Sequence, residues 1–65
     1  MINIKIARIK KGLTQKQLAK LLGLEYATIS RWETGANNIP SDKLIQLAKI
    51  LETSTDYLLG LKNDE

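Results

Sequence analysis

Tyr26, Ala27, Thr28, Ser30 and Arg31 crowd into one short stretch, and their side chains are suited to gripping and reading rather than to making bonds. A guanidinium such as that of Arg31 donates two parallel hydrogen bonds, matching the O6 and N7 acceptors on a guanine edge, or it grips a phosphate. The methyl group of Ala27 suits the methyl of thymine, and hydroxyls at Tyr26, Thr28 and Ser30 donate to bases, sugars or phosphates. Bond-making groups are scarce by comparison. The chain has no histidine and no cysteine, so it lacks the commonest general base, the commonest metal ligand and any thiolate. Asp42, Asp56 and the glutamates form no recognisable catalytic set. Neither an enzyme nor a metal or other cofactor is expected.

Two short helices must position these residues. Leu18, Leu21, Leu22, Ile29 and Trp32 are spaced to bury one side of each, leaving Gln15, Tyr26, Thr28, Ser30 and Arg31 on the other. The first helix opens at Thr14, a good N-cap, with Gln17 three residues later to complete a capping box. It ends at Gly23. The second runs from about Glu25 to Thr34 and stops at Gly35. Two helices across a short glycine turn form a helix-turn-helix, whose second helix enters the major groove of DNA.

The remaining residues supply three more helices. One spans about Ile2 to Lys11, with Ile2, Ile6 and Ile9 at helical spacing, Ile4 offset from them and Gly12 as its stop. After the turn-forming Ala36-Asn37-Asn38-Ile39-Pro40, a fourth carries Leu44, Leu47, Ala48 and Leu51 at i, i+3, i+4, i+7. Either Ser41 is its N-cap or Pro40 occupies its first turn. Thr53 with Asp56, or Ser54 alone, caps a short fifth helix through Tyr57, Leu58 and Leu59 that Gly60 ends. The expected fold is all-α: a compact five-helix bundle, residues 1–61 forming one domain and 62–65 a polar tail.

Charge is unevenly placed. Residues 1–20 carry six basic side chains and no acid, +6, whereas residues 21–65 carry four basic against seven acidic, −3. One positive face for a polyanion is the implication. No apolar run approaches the roughly 20 residues of a membrane span. The N-terminus also lacks the layout of a signal peptide, so a cytoplasmic setting is expected.

With these residues in register, the chain resembles the phage-repressor and Cro-type (Xre-like) helix-turn-helix family. The resemblance rests on Leu13-Thr14-Gln15, Leu18-Ala19, Gly23-Leu24, Thr28 to Glu33 and Gly35, and extends through Leu47-Ala48, Leu51, Ser54 and Asp56 to Gly60. It implies a five-helix DNA-binding domain of the phage-repressor type that binds palindromic operator DNA, as a weak homodimer or a dimer formed on the DNA. Tyr57, Leu58, Leu61 and the loop around Ile39 are candidate dimer contacts, some of these leucines belonging instead to the core. By this resemblance Gln15 and the amides opening helix 2 grip a phosphate, in a set with Thr14, Lys16, Thr28, Thr34, Asn37 and Asn38. Base contacts fall to Tyr26, Ala27, Ser30 and Arg31, with Glu25 at the edge. Ile29 and Trp32 are core support, and Arg8 pairs with Glu33 to hold the recognition helix.

Two positions depart from the family pattern. Glu25 stands where Ser or Thr usually caps the recognition helix, so it either caps or meets a cytosine N4. Glu52 replaces the usual glycine after helix 4, where a left-handed backbone costs about 1 kcal/mol. The function expected is a sequence-specific transcriptional regulator, of the small Cro-like or immunity-repressor kind. A protein-interaction module on the same fold, an antitoxin or anti-repressor partner, is the alternative.

Overall fold

A computed structural model describes residues 2–35 and 38–61. Its five described helices are α1 (Ile2–Lys10), α2 (Gln15–Leu22), α3 (Tyr26–Thr34), α4 (Ser41–Ile50) and α5 (Thr55–Leu58). No strand occurs among the described residues, and no helix is long and apolar enough to cross a membrane. The all-α expectation holds.

One side chain from each helix is wholly withdrawn from water: Ile4, Leu18, Ile29, Leu47 and Leu58. Around these five close Ala7, Ala19, Leu22, Trp32, Ala48, Leu51 and Tyr57. Each large aliphatic side chain buried this way contributes about 1.5–3 kcal/mol. So short an α5, one helical turn, survives because Tyr57 and Leu58 both enter this core. They were candidate dimer contacts in the sequence and are instead buried, 4% and 1% exposed. Leu61 does lie on the surface, and Ile39 is half-buried against the core.

Two apolar patterns turn out differently from their sequence reading. In α1 the inward stripe is Ile4, Ala7 and Arg8, while Ile6 and Ile9 face solvent. The stripe escapes a search for large apolar residues because it is made of one isoleucine, one alanine and one arginine. In α2 the buried set is Leu18, Ala19 and Leu22, and Leu21 is 59% exposed. At 100° per residue, Leu21 lies roughly 110° from the centre of that stripe.

The helix ends explain how such short segments turn so sharply. Thr14 and Gln17 make the full capping box, with the Gln17 amide donating to Thr14 Oγ1 at 3.0 Å and the Thr14 amide to Gln17 Oε1 at 2.9 Å. Ser54 alone caps α5, accepting from the Tyr57 amide at 3.1 Å. Pro40 occupies the N-cap of α4 and Ser41 its first turn, so neither start expected for that helix is the one adopted. The Pro40 carbonyl accepts the first helical bond, from the Leu44 amide, and proline's missing N–H costs nothing there.

The turn between α2 and α3 is a Schellman motif. The Gly23 amide donates to the Lys20 carbonyl and the Leu24 amide to the Ala19 carbonyl, at 3.1 and 2.9 Å. Gly23 has φ +71 with open space where a Cβ would lie, so backbone conformation rather than crowding demands glycine.

Glu52 makes the same turn after α4 without being glycine, at φ +55. Its carboxylate pairs with Lys11 of the α1 end. Glu52→Gly is therefore expected to relieve about 1 kcal/mol of left-handed strain while losing an exposed pair worth under about 1 kcal/mol. A small net gain in urea midpoint is the expected outcome, larger in high salt, where the pair is already screened.

Candidate nucleic-acid interface

The second helix of the motif is two-sided. Ile29 and Trp32 plunge into the core at 0% and 3% exposure, fixing α3 by its inner face. Tyr26, Arg31 and Thr34 are exposed, and Ala27, Thr28 and Ser30 are half-buried beside them. The structure therefore gathers Tyr26, Ala27, Ser30 and Arg31 on one solvent-facing side of one helix. Tyr26 shows 51% of its surface. Among the described residues the Arg31 guanidinium has no hydrogen-bond partner, which leaves its donors free.

Glu25 sits at the N-cap of α3 with extended backbone, φ −81 and ψ 149, but its side chain makes no cap bond. The capping alternative is thus not the one adopted. A glutamate is one methylene longer than the aspartate that caps well, too long to fold back readily onto the N3 amide. Its exposed carboxylate faces outward at the positive end of the helix.

At the start of α2 the expected anion-binding residues sit together. Thr14 accepts the Gln17 amide on its hydroxyl oxygen and keeps its own proton for another acceptor. The Lys16 ammonium lies 5.7 Å from the centroid of the Tyr26 ring, a cation–π contact that joins α2 to α3. Between them runs a shallow trough of about 500 Å³, lined by Lys16, Lys20, Glu25, Tyr26 and Ala27.

Gln15 has a partner that sequence reading did not foresee. Its Nε2 donates to Glu33 Oε1 at 3.0 Å, which leaves one amide N–H for an outside acceptor. Thr34 is similarly engaged, its hydroxyl donating to the Arg31 carbonyl at 3.0 Å. To reach a phosphate that hydroxyl must first turn away from the backbone. Asn38 is exposed on the loop after α3, and Asn37 lies outside the described residues.

Beneath this surface Arg8 and Glu33 pair as expected. Arg8 Nε donates to Glu33 Oε2 at 2.5 Å and Nη2 to Oε1 at 3.2 Å, with side chains only 11% and 4% exposed. Arg8 Nη1 also donates to the Leu13 carbonyl at 2.8 Å. The Glu33 carboxylate thus binds α1 and the first residue of α2 to the recognition helix, and Arg8 extends the tie to the α1–α2 loop. Two further ties were missed in the sequence, because polar side chains bonding to distant carbonyls leave no periodic signal. Asn3 Nδ2 donates to the Tyr57 carbonyl at 2.6 Å, and Lys43 Nζ to the Leu22 carbonyl at 3.4 Å.

Comparison with known proteins places this geometry. A family model described as "Helix-turn-helix" matches residues 4–58. The chain is 39% identical over 57 residues to the HTH-type transcriptional regulator ImmR of Bacillus subtilis, covering 88% of this chain and 45% of that protein. It is 36% identical over 56 residues to Repressor protein C2 of Salmonella phage P22, covering 86% of this chain and 26% of the repressor. Control protein C.SmaI of Serratia marcescens is 39% identical over 66 aligned positions, covering 97% of this chain and 79% of that protein. The chain spans about half the length of the first curated relatives it matches, 46%, 45% and 54% of them. No solved structure gives a significant match.

Proposed function

Since the chain belongs to the phage-repressor and Cro-type helix-turn-helix family, we propose that it is a sequence-specific transcriptional regulator that binds duplex DNA through α3. The observation that carries the reading is the two-sidedness of α3. Ile29, Trp32 and Glu33 lock one side into the protein, while Tyr26 and Arg31 are exposed on the other. A helix held this way presents its outer side chains to a groove at fixed depth. Tyr26, Ala27, Ser30 and Arg31 make the base contacts, with Glu25 at the edge. Thr14, Gln15, Lys16, Thr28, Thr34 and Asn38 hold phosphates, and Asn37 joins them by its place in the sequence. Relatives carrying the names repressor and transcriptional regulator support a repressor of Cro-like or immunity type.

One α3 reads only a few base pairs, so specificity requires two copies on a palindromic operator, paired weakly or only on DNA. Selection from a random duplex pool is expected to enrich two inverted half-sites about 34–36 Å apart. Enrichment of single asymmetric sites would overturn the dimer. Absence of any enrichment would overturn the DNA reading and favour a protein-interaction role.

Lys16 provides a second check. An ammonium beside the α2 N-terminus adds to affinity for any sequence by releasing counterions. Lys16→Ala is expected to lower the salt slope of binding by about one unit without altering base preference. A slope unchanged by the substitution would remove Lys16 from the phosphate set.

A further inference from the structure

Leu21 has no role in the core or in the DNA-facing surface, yet a leucine 59% exposed is set on the outer side of α2. It forms a ridge between two shallow troughs. One, of about 530 Å³, lies toward Leu13. The other, of about 540 Å³, crosses the end of α2 to α4 and is bordered by Lys43, Lys49 and Ile50. Leu21 and Lys20 border both. The strip therefore joins four apolar side chains, Leu13, Leu21, Leu22 and Ile50, to three ammonium groups, and no acidic residue lines either trough. Among the described residues no carboxylate pairs with Lys20, Lys43 or Lys49. Lys43 is held in place by the Leu22 carbonyl at 3.4 Å and Gln46 Oε1 at 3.5 Å.

Charge and shape together select the occupant. Three cations without an anion exclude a basic partner and favour one rich in carboxylates. A nucleic-acid backbone would answer the charge but offers nothing to pack astride an exposed leucine. A ridge between two grooves is instead the complement of side chains at i and i+3 or i+4 on a facing helix. We propose that the outer face of α2, from Leu13 to Ile50, docks an acidic amphipathic helix of a partner protein. The strip contains none of the residues assigned to base or phosphate contact and meets the trough beside α3 only at Lys20, so the proposal stands independently of the DNA reading.

The test uses the whole chain, isotopically labelled, and a short synthetic helix with leucines at i, i+3, i+4 and i+7 flanked by glutamates. Saturable amide shifts are expected at Lys20, Leu21, Lys43 and Lys49, and these should weaken with salt. Leu21→Ser should weaken binding about tenfold and Lys49→Gln about threefold, as loss of an apolar anchor and of a rim charge would do. Both variants should keep the parent thermal melt, since both side chains are exposed. The proposal is overturned if the peptide does not saturate, or if shifts centre on α3. It also fails if a glutamine-for-glutamate peptide binds equally well, or if random duplex DNA shifts the same strip. Loss of self-association on Leu21→Ser, measured by sedimentation, would assign the face to a second copy of the chain and likewise overturn it.

Discussion

Arg8→Ala and Glu33→Ala are each expected to cost about 3–5 kcal/mol of folding stability, because either leaves a buried charge without its partner. A domain of this size commands only about 3–10 kcal/mol in total at 0.05–0.15 kcal/mol per residue, so either variant should be largely unfolded in mild urea. The two losses are unequal in origin. Glu33→Ala strands a guanidinium that still has the Leu13 carbonyl at 2.8 Å. Arg8→Ala strands a carboxylate only 4% exposed, with the Gln15 amide as its remaining partner at 3.0 Å. The arginine substitution should therefore be the more damaging.

Removing both ends together should cost far less than the sum, since no lone charge remains, and an Arg8→Met, Glu33→Leu pair should recover most of the loss. Urea midpoints across the double-mutant cycle measure this directly. Additive single effects would show that the pair contributes no coupling. DNA affinity should fall even where the fold survives, because Glu33 also orients Gln15 at the start of α2.

Much of the fold was legible because local signals agreed with one another. The capping box at Thr14 and Gln17, the left-handed glycines at Gly23 and Gly35 and the leucine repeat of α4 each rest on neighbours a turn or less away. Helix starts and stops follow from such short-range chemistry. Glu52 was legible only through the family resemblance, which places glycine at that position; nothing in its own side chain signals the left-handed backbone it adopts. The errors fell where a helix must choose which of two faces to bury. Ile6, Ile9 and Leu21 are apolar enough for the core, but Ala7, Arg8 and Ala19 lie on the sides that neighbouring helices cover. Only the packing of all five helices decides between the two.

The candidate interface was legible in part. Its exposed residues were identified by standing opposite Ile29 and Trp32. The Gln15–Glu33 and Thr34–Arg31 bonds were not, because a side-chain amide or hydroxyl fits many partners and sequence spacing ranks none of them. Those bonds change the chemistry on offer, since each withdraws a donor that a phosphate would otherwise use. Glu25 lost one of its two readings by geometry alone: a cap requires reach onto the N3 amide, and its carboxylate does not make that bond.

Arg31→Ala is expected to cost about 1–3 kcal/mol on the best operator and to flatten preference at one guanine in each half-site. The side chain stands one residue before Trp32, at 3% exposure, and two beyond Ile29, at 0%, so the core fixes its Cα relative to the groove. Its backbone carbonyl is further held by the Thr34 hydroxyl at 3.0 Å. The guanidinium itself has no partner among the described residues, so no internal bond must break before it reaches a base. Ala27 and Ser30 share its face but are too short to reach far into a groove, and Tyr26 is engaged on one face of its ring by Lys16. Arg31 is thus the longest free donor on the helix, and its planar fork matches guanine O6 and N7. Arg31→Lys should restore part of the affinity but less of the discrimination, because an ammonium donates from a point rather than a fork. Binding measured on operators varied one base pair at a time separates this role from a phosphate contact. If Arg31→Ala weakens every variant equally, the residue anchors the backbone and base readout passes to Glu25, Tyr26, Ala27 and Ser30.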